Sequence, residues 1–228
     1  MDIMSTENVC RDFPSGRRKV RVLYDVSLKV EEGSLTVLRG RSGSGKTTLL
    51  NIMSGLDDPT SGRVFFADRE FSAMAPALRD VIRARQMGFV FQAVALIPTM
   101  SAYENVEFML RIAGKKADRA RVLECLDKVG LSKRVEHFPA ELSGGEQQRV
   151  AIARAMVHRP RVIFADEPTA ELDSAMGMSV MKLFRTAVEE GTTVVMTTHD
   201  TNIMELADMI YTLEDGRVTD VRRGGEGL

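Results

Sequence analysis

Short apolar runs rich in β-branched residues alternate along the chain with longer segments of helical period. That alternation predicts a sheet covered by helices, an α/β fold. The clearest strand signals lie at residues 35–39, 161–165, 192–198 and 209–213. Ahead of them, residues 19–30 alternate more loosely, with Val20, Val22, Val26 and Leu28 in one register, and the run stops at Glu31, Glu32 and Gly33. This predicts an antiparallel edge preceding the core. Between residues 94 and 158 the strand signal fades and helical segments take over, at 102–112, at 118–129 and from Ser143 onward. They read as a helical insertion, at about residues 93–158, within a single domain of residues 1–228. The tail, residues 222–228, has no apolar face to bury and is expected to fray.

Composition narrows the classes. A chain of 228 residues holds one sizeable core or at most two small ones, and 28% charged residues is ordinary for a globular protein. The formal net charge of -1 gives no general reason to bind nucleic acid or an anionic membrane. No apolar run is long enough to cross a bilayer, and residues 1–8 have neither a basic n-region nor an apolar h-region, so a cytoplasmic location is expected. Cys10 and Cys125 are widely separated and offer neither metal-ligand spacing nor a disulfide framework. They read as small buried apolar residues in a reducing compartment.

Candidate chemistry begins at Gly40, Arg41, Ser42, Gly43, Ser44, Gly45, Lys46 and Thr47, which fit G-x-x-x-x-G-K-[ST] between a predicted strand and a predicted helix at 47–53. The glycines let the backbone curl so that successive N–H groups point at one anion, and the helix start adds its positive dipole end. Lys46 supplies a mobile charge for β and γ phosphates. Thr47 offers a hydroxyl to Mg2+, a hard cation that prefers oxygen ligands. A glycine-rich turn entering a helix would read the same locally, but strand, loop and helix together favour phosphate binding.

Residues 161–167 form an apolar run ending in two acids, Asp166 and Glu167. In a parallel sheet both carboxylates arrive at the C-terminal edge of the strands, where ligands bind. Asp166 is then the Mg2+-side acid and Glu167 the candidate general base for an attacking water. His199 closes a second apolar strand and is expected on the same edge, near the γ phosphate. Farther back, Ser143 and Glu146 make a capping box, and Val150, Ala153 and Val157 recur at helical spacing. The bland reading is a well-capped helix; the paired glycines, Gly144 and Gly145, leave its N-terminus open to a second phosphate contact.

The run LSGGEQQRVAIARAM resembles the signature of the ATP-binding cassette family, and GRSGSGKTT and VIFADEPTAELD stand in the family's order around it. The resemblance covers nearly the whole chain. It implies a P-loop NTPase fold with a mixed core sheet, an N-terminal antiparallel β subdomain and an inserted α-helical subdomain. It also implies that two copies face each other head to tail around two ATP molecules, Ser143, Gly144 and Gly145 meeting the ATP held by the partner's loop. Thr48 follows the loop as a further nucleotide contact, Gln92 in GFVFQ matches the glutamine that reaches Mg2+ and the attacking water, and Asp173 matches the acid of the dimer-contacting loop. His199 matches the switch histidine. Phe13 falls where the family carries an aromatic that stacks on adenine, with packing under the edge sheet as the less favoured reading and Tyr24 as the less favoured substitute. Departures are Arg41 in place of a common proline, Arg39 at a usually neutral strand end, and Glu171 beside Asp173; none removes a required donor, metal ligand or base.

A chain without a membrane segment cannot move a solute by itself, so the resemblance implies a transmembrane permease subunit as partner and a peripheral position on the inner face of the cell membrane. Leu96 and Ile97, after Gln92, read either as exposed apolar residues able to receive a short helix from that partner or, equally, as a patch packing helix to loop. The stretch GFVFQAVALIPTMSAYENVEFML resembles cassettes of the lipoprotein-release and macrolide or antimicrobial-peptide export group, with amino-acid import and division-linked signalling as alternatives. A soluble cassette acting on nucleic acid finds no support in the net charge. A small-molecule kinase would leave the signature helix unexplained.

Overall fold

The computed structural model describes residues 1–16, 18–170, 172–199 and 205–224. In chain order, β1 (Asp2–Ser15) and β2 (Arg18–Glu31) precede β3 (Leu35–Arg39) and α1 (Lys46–Met53). Next come β4 (Ser61–Phe66), β5 (Arg69–Glu70), α2 (Pro76–Gln86) and β6 (Met87–Val90). The helices α3 (Ala102–Ile112), α4 (Arg119–Lys128) and α5 (Gly144–Met156) follow before β7 (Val162–Asp166). The chain closes with α6 (Ser174–Glu189), β8 (Thr193–Thr198), β9 (Met209–Glu214) and β10 (Arg217–Arg223).

Two sheets result: a four-stranded antiparallel one in the order β2-β1-β4-β5, and a six-stranded one in the order β10-β9-β3-β8-β7-β6. In the larger sheet β9, β3, β8, β7 and β6 run parallel and β10 pairs antiparallel with β9, which makes it mixed. Its parallel strands are apolar almost throughout because both faces are covered. Along β7, Ile163 and Ala165 face the cluster built by α3 to α6, and Val162 and Phe164 face the cluster shared by α1 and the antiparallel sheet. The period-2 alternation of a strand thus divides one apolar run between two cores. Tyr211 joins the sheets: its hydroxyl donates to the Lys29 carbonyl at 2.7 Å.

Several local expectations change. The first strand, β1, is absent from the sequence reading because its polar residues mask the alternation, yet it is the central partner of β2 and β4. The single register expected along residues 19–30 does not hold. Asp25 takes φ +50° and the β1–β2 pairing slips, so Leu23, Val26, Leu28 and Val30 are buried while Val20 stays exposed. Arg222 and Arg223 belong to β10 rather than to a frayed tail, while residues 225–228 lie outside the described residues. Leu96 packs against the helical cluster instead of standing exposed. Its segment is pinned by fully buried Asn105, which donates to the Ile97 and Met100 carbonyls and accepts from the Ile97 amide.

The helical insertion rejoins the sheet at His158, which is fully buried. Its Nε2 donates to the Met87 carbonyl at 3.0 Å, and among the described residues Nδ1 has no partner. Burial pushes the imidazole pKa down from 6.5 to about 4. The neutral ring is therefore the folded form. Between these two values the unfolded chain binds more protons, so stability rises with pH through the window and is lost as pH falls from about 6.5 toward about 4. The cost at pH 5 is roughly 2 kcal/mol, or about 4–8 °C of Tm for a chain of this size. A thermal melt series from pH 7 to pH 5 checks this: His158→Gln, which does not titrate but keeps a donor for Met87, is expected to lose less Tm than the native protein. Parallel losses would refute the assignment.

Candidate functional site

The loop after β3 follows from close approaches that only glycine tolerates. A Cβ on Gly40 would lie 2.3 Å from the Leu213 carbonyl oxygen. Gly45 caps α1 in the left-handed region at φ +99°, with a Cβ position 2.8 Å from Leu23 Cδ2. The loop is thus pressed between β9 and β2 and opens toward the sheet edge. Lys46 is 5% exposed; its Nζ donates to the Gly40 and Arg41 carbonyls at 2.9 and 3.1 Å and stands 3.6 Å from Glu167 Oε1. The Ser44 hydroxyl is buried inside the loop without a hydrogen-bond partner among the described residues.

Parallel pairing brings the acids to the same edge. Asp166 ends β7 opposite Thr197 of β8, and Arg39 ends β3 opposite Thr198. Asp166 Oδ1 accepts from Thr47 Oγ1 at 3.0 Å and from Thr197 Oγ1 at 2.6 Å. The Thr197 hydroxyl in turn accepts from the Glu167 amide at 2.8 Å. Glu167 sits at φ +43°, a conformation that costs a non-glycine residue on the order of 1–2 kcal/mol and that neighbouring contacts must hold. His199 Nδ1 lies 3.1 Å from Glu167 Oε2.

Beside them opens a cleft of about 780 Å³, lined by Val22, Arg41, Ser42, Gly43, Gly45, Lys46, Thr47, Thr48, Gln92, Glu167 and His199; Asp166 and Thr197 are not among its lining residues and meet it through Thr47 and Glu167. Gly40 and Ser44 open on a neighbouring cleft across the loop. Phe13, Ser143, Gly144, Gly145 and Asp173 line neither. Phe13 lies in β1 with the Arg11 guanidinium 4.5 Å from its ring centroid. Ser143 caps α5 by accepting from Glu146 N, and the Ser143 amide donates to the Glu146 carboxyl, which that bond foremost holds below the usual carboxylate range. Asp173 caps α6, accepting from the Met176 amide at 2.9 Å. Glu171 lies outside the described residues.

The places of Thr197 and Val22 at the site are not evident from the sequence. Two threonines closing an otherwise apolar strand were the available signal for Thr197; Val22 carries none, since it reaches the cleft only because β2 folds over the loop. Among the described residues, no helix is long and apolar enough to cross a membrane.

Comparison with known proteins agrees with this geometry. The family model for "ABC transporter" matches residues 23–170. An uncharacterized ABC transporter ATP-binding protein, MJ1508 of Methanocaldococcus jannaschii, is 42% identical over 96% of this chain and 99% of its own length. The macrolide export ATP-binding/permease protein MacB of Salmonella typhimurium is 44% identical over 92% of this chain, which spans only 33% of MacB. The ATP-binding cassette MJ0796, solved as a dimer in a post-hydrolysis state bound to ADP and Pi, superposes with a TM-score of 0.91 at 39% identity, covering 99% of this chain and 100% of that one. A phosphate loop facing two strand-end acids, on a fold shared over its whole length with a nucleotide-bound cassette, places this chain in the ABC transporter family as an ATP-hydrolysing ATP-binding cassette.

Proposed function

We propose that ATP is hydrolysed in the cleft between the phosphate loop and the ends of β7 and β8, with Glu167 as general base and Lys46 as the cation for the β and γ phosphates. The observation that carries this reading is the 3.6 Å separation of Lys46 Nζ and Glu167 Oε1, a phosphate-binding cation and a base converging on one point. Water attacks the γ phosphorus in line; its oxygen bonds to phosphorus as the bridging bond to the β phosphate breaks, and Glu167 accepts the proton that the water gives up. ADP and inorganic phosphate are the products. His199, 3.1 Å from Glu167, orients that carboxylate, and Gln92, which borders the same cleft, is assigned to the attacking water.

Thr47 Oγ1 and Asp166 Oδ1, 3.0 Å apart, with Gln92 lining the same cleft as Thr47, are the oxygen ligands that would hold a hard cation such as Mg2+. A cation held by these residues would supply charge neutralisation at the phosphate oxygens. Among the described residues no group of three or more His, Cys, Asp or Glu side chains offers a competing site.

Phe13 is assigned to stack on adenine, and Ser143, Gly144, Gly145 and Asp173 to the ATP site of a second copy packed head to tail. Ser143, Gly144 and Asp173 are exposed and Phe13 and Gly145 half-buried, all five away from their own chain's cleft; with the dimeric state of the MJ0796 cassette, this supports that arrangement. A separate membrane permease of the export or lipoprotein-release type is the proposed load, in keeping with the similarity to the cassette portion of MacB. Its contact is assigned to the groove of about 400 Å³ on the helical insertion, where Phe108 and Phe138 stand exposed beside Glu104 and Glu136.

Glu167→Gln is expected to lower turnover by about 100-fold or more while ATP binding stays within about threefold and ATP-dependent dimers accumulate. Phosphate release, isothermal titration and light scattering read the three in turn, and native turnover would remove the base. Lys46→Ala is expected to weaken ATP binding by about tenfold or more through loss of a charge-assisted contact. Isothermal titration reads the change, and unaltered affinity would count against the loop.

A further inference from the structure

The segment from Glu167 to the start of α6 is gripped at both ends by α5. At the near end Gln148, 4% exposed, donates from Nε2 to the Pro168 carbonyl at 2.9 Å, one residue past Glu167. At the far end Arg149 Nη1 reaches Met176 Sδ at 2.7 Å, and a Cβ on Gly145 would stand 3.4 Å from Met176 Cγ. The Met176 amide is the one that Asp173 caps. Glu167, at φ +43°, keeps its conformation only while its neighbours restrain it. Thr197 restrains its amide, the Ala170 amide donates to its carbonyl at 3.1 Å, and a further restraint acts on the following residue and comes from Gln148.

We infer that Gln148 is a positioning residue that ties the N-terminal turns of α5 to the backbone presenting Glu167, so that a nucleotide seated against Ser143 and Gly144 adjusts the general base of the same chain. The inference rests on reading Glu167 as that base. The link is short: Gln148 lies on the second turn of the helix that Ser143 caps, and a single buried hydrogen bond joins it to the carbonyl of Pro168, the residue that follows the acid. Chemistry restricts what can stand there. The Pro168 carbonyl is an acceptor, so only a donor of glutamine's reach keeps the bond.

Steady-state ATPase assays of the full chain test this with Gln148→Met, Gln148→Glu and Glu167→Gln side by side. Gln148→Met keeps the length but has no donor; kcat is expected to fall about tenfold or more, with KM for ATP within about twofold. In Gln148→Glu an ionised carboxylate faces the carbonyl and cannot donate, whereas the protonated acid can. Its kcat relative to the native protein is therefore expected to recover at least about threefold from about pH 8.5 to about pH 6. Binding of a fluorescent ADP analogue at native affinity reports that the variants are folded. Native kcat in Gln148→Met overturns the inference, as does a kcat loss matched by lost analogue affinity with no recovery at low pH in Gln148→Glu, the mark of a purely structural role. If Glu167→Gln itself turns over normally, the reading of the base fails. An inactive Glu167→Gln beside a fully active Gln148→Met removes only the link.

Discussion

Asp166 is the acceptor around which the site is assembled. Two threonine hydroxyls reach the same carboxylate oxygen, one from the first turn of α1 and one from the end of β8. Bonds to an ionised acceptor are roughly twice as strong as neutral ones, and a partly buried setting preserves that advantage. Thr197 spends its remaining capacity on the Glu167 amide, so one hydroxyl registers both acids against the neighbouring strand. The loop after β3, Asp166, Glu167 and the strand leading to His199 are thereby connected through one oxygen atom and one hydroxyl.

That connection is possible only because the strands are parallel. Pairing of β3, β8 and β7 in one direction puts Arg39, Thr198 and Asp166 at a common edge, although they are separated by long stretches of chain. The same strands divide their alternate side chains between two cores. One core holds α1, and with it the phosphate loop; the other holds α5 and α6. The sheet is the shared wall, and movement of α5 is felt at its edge through the segment that follows β7.

The two glycine-led features have different physical origins. In the phosphate loop, Gly40 and Gly45 are required by contacts with Leu213 and Leu23. At the head of α5, a Cβ on Gly144 would meet nothing within 4 Å, so steric demand within this chain does not explain that glycine. A helix start that is capped, exposed and free of side-chain bulk is suited to a surface that something else approaches.

Much of this protein was legible in its residues. The strand–loop–helix context of residues 40–47, the two acids ending an apolar run, and the capping box at Ser143 are local patterns, and local patterns survive in one dimension because turn chemistry, capping and strand periodicity act over a few residues. What the chain could not reveal alone was which distant residues those patterns meet. β1 was hidden because a polar strand carries little periodic signal, and the phase slip at Asp25 depends on pairing with β1. Thr197 and Gln148 looked like an ordinary strand residue and an ordinary helix residue. Only the parallel register across from Asp166, and the packing of α5 against the segment after β7, gave their side chains the buried partners that define what they do.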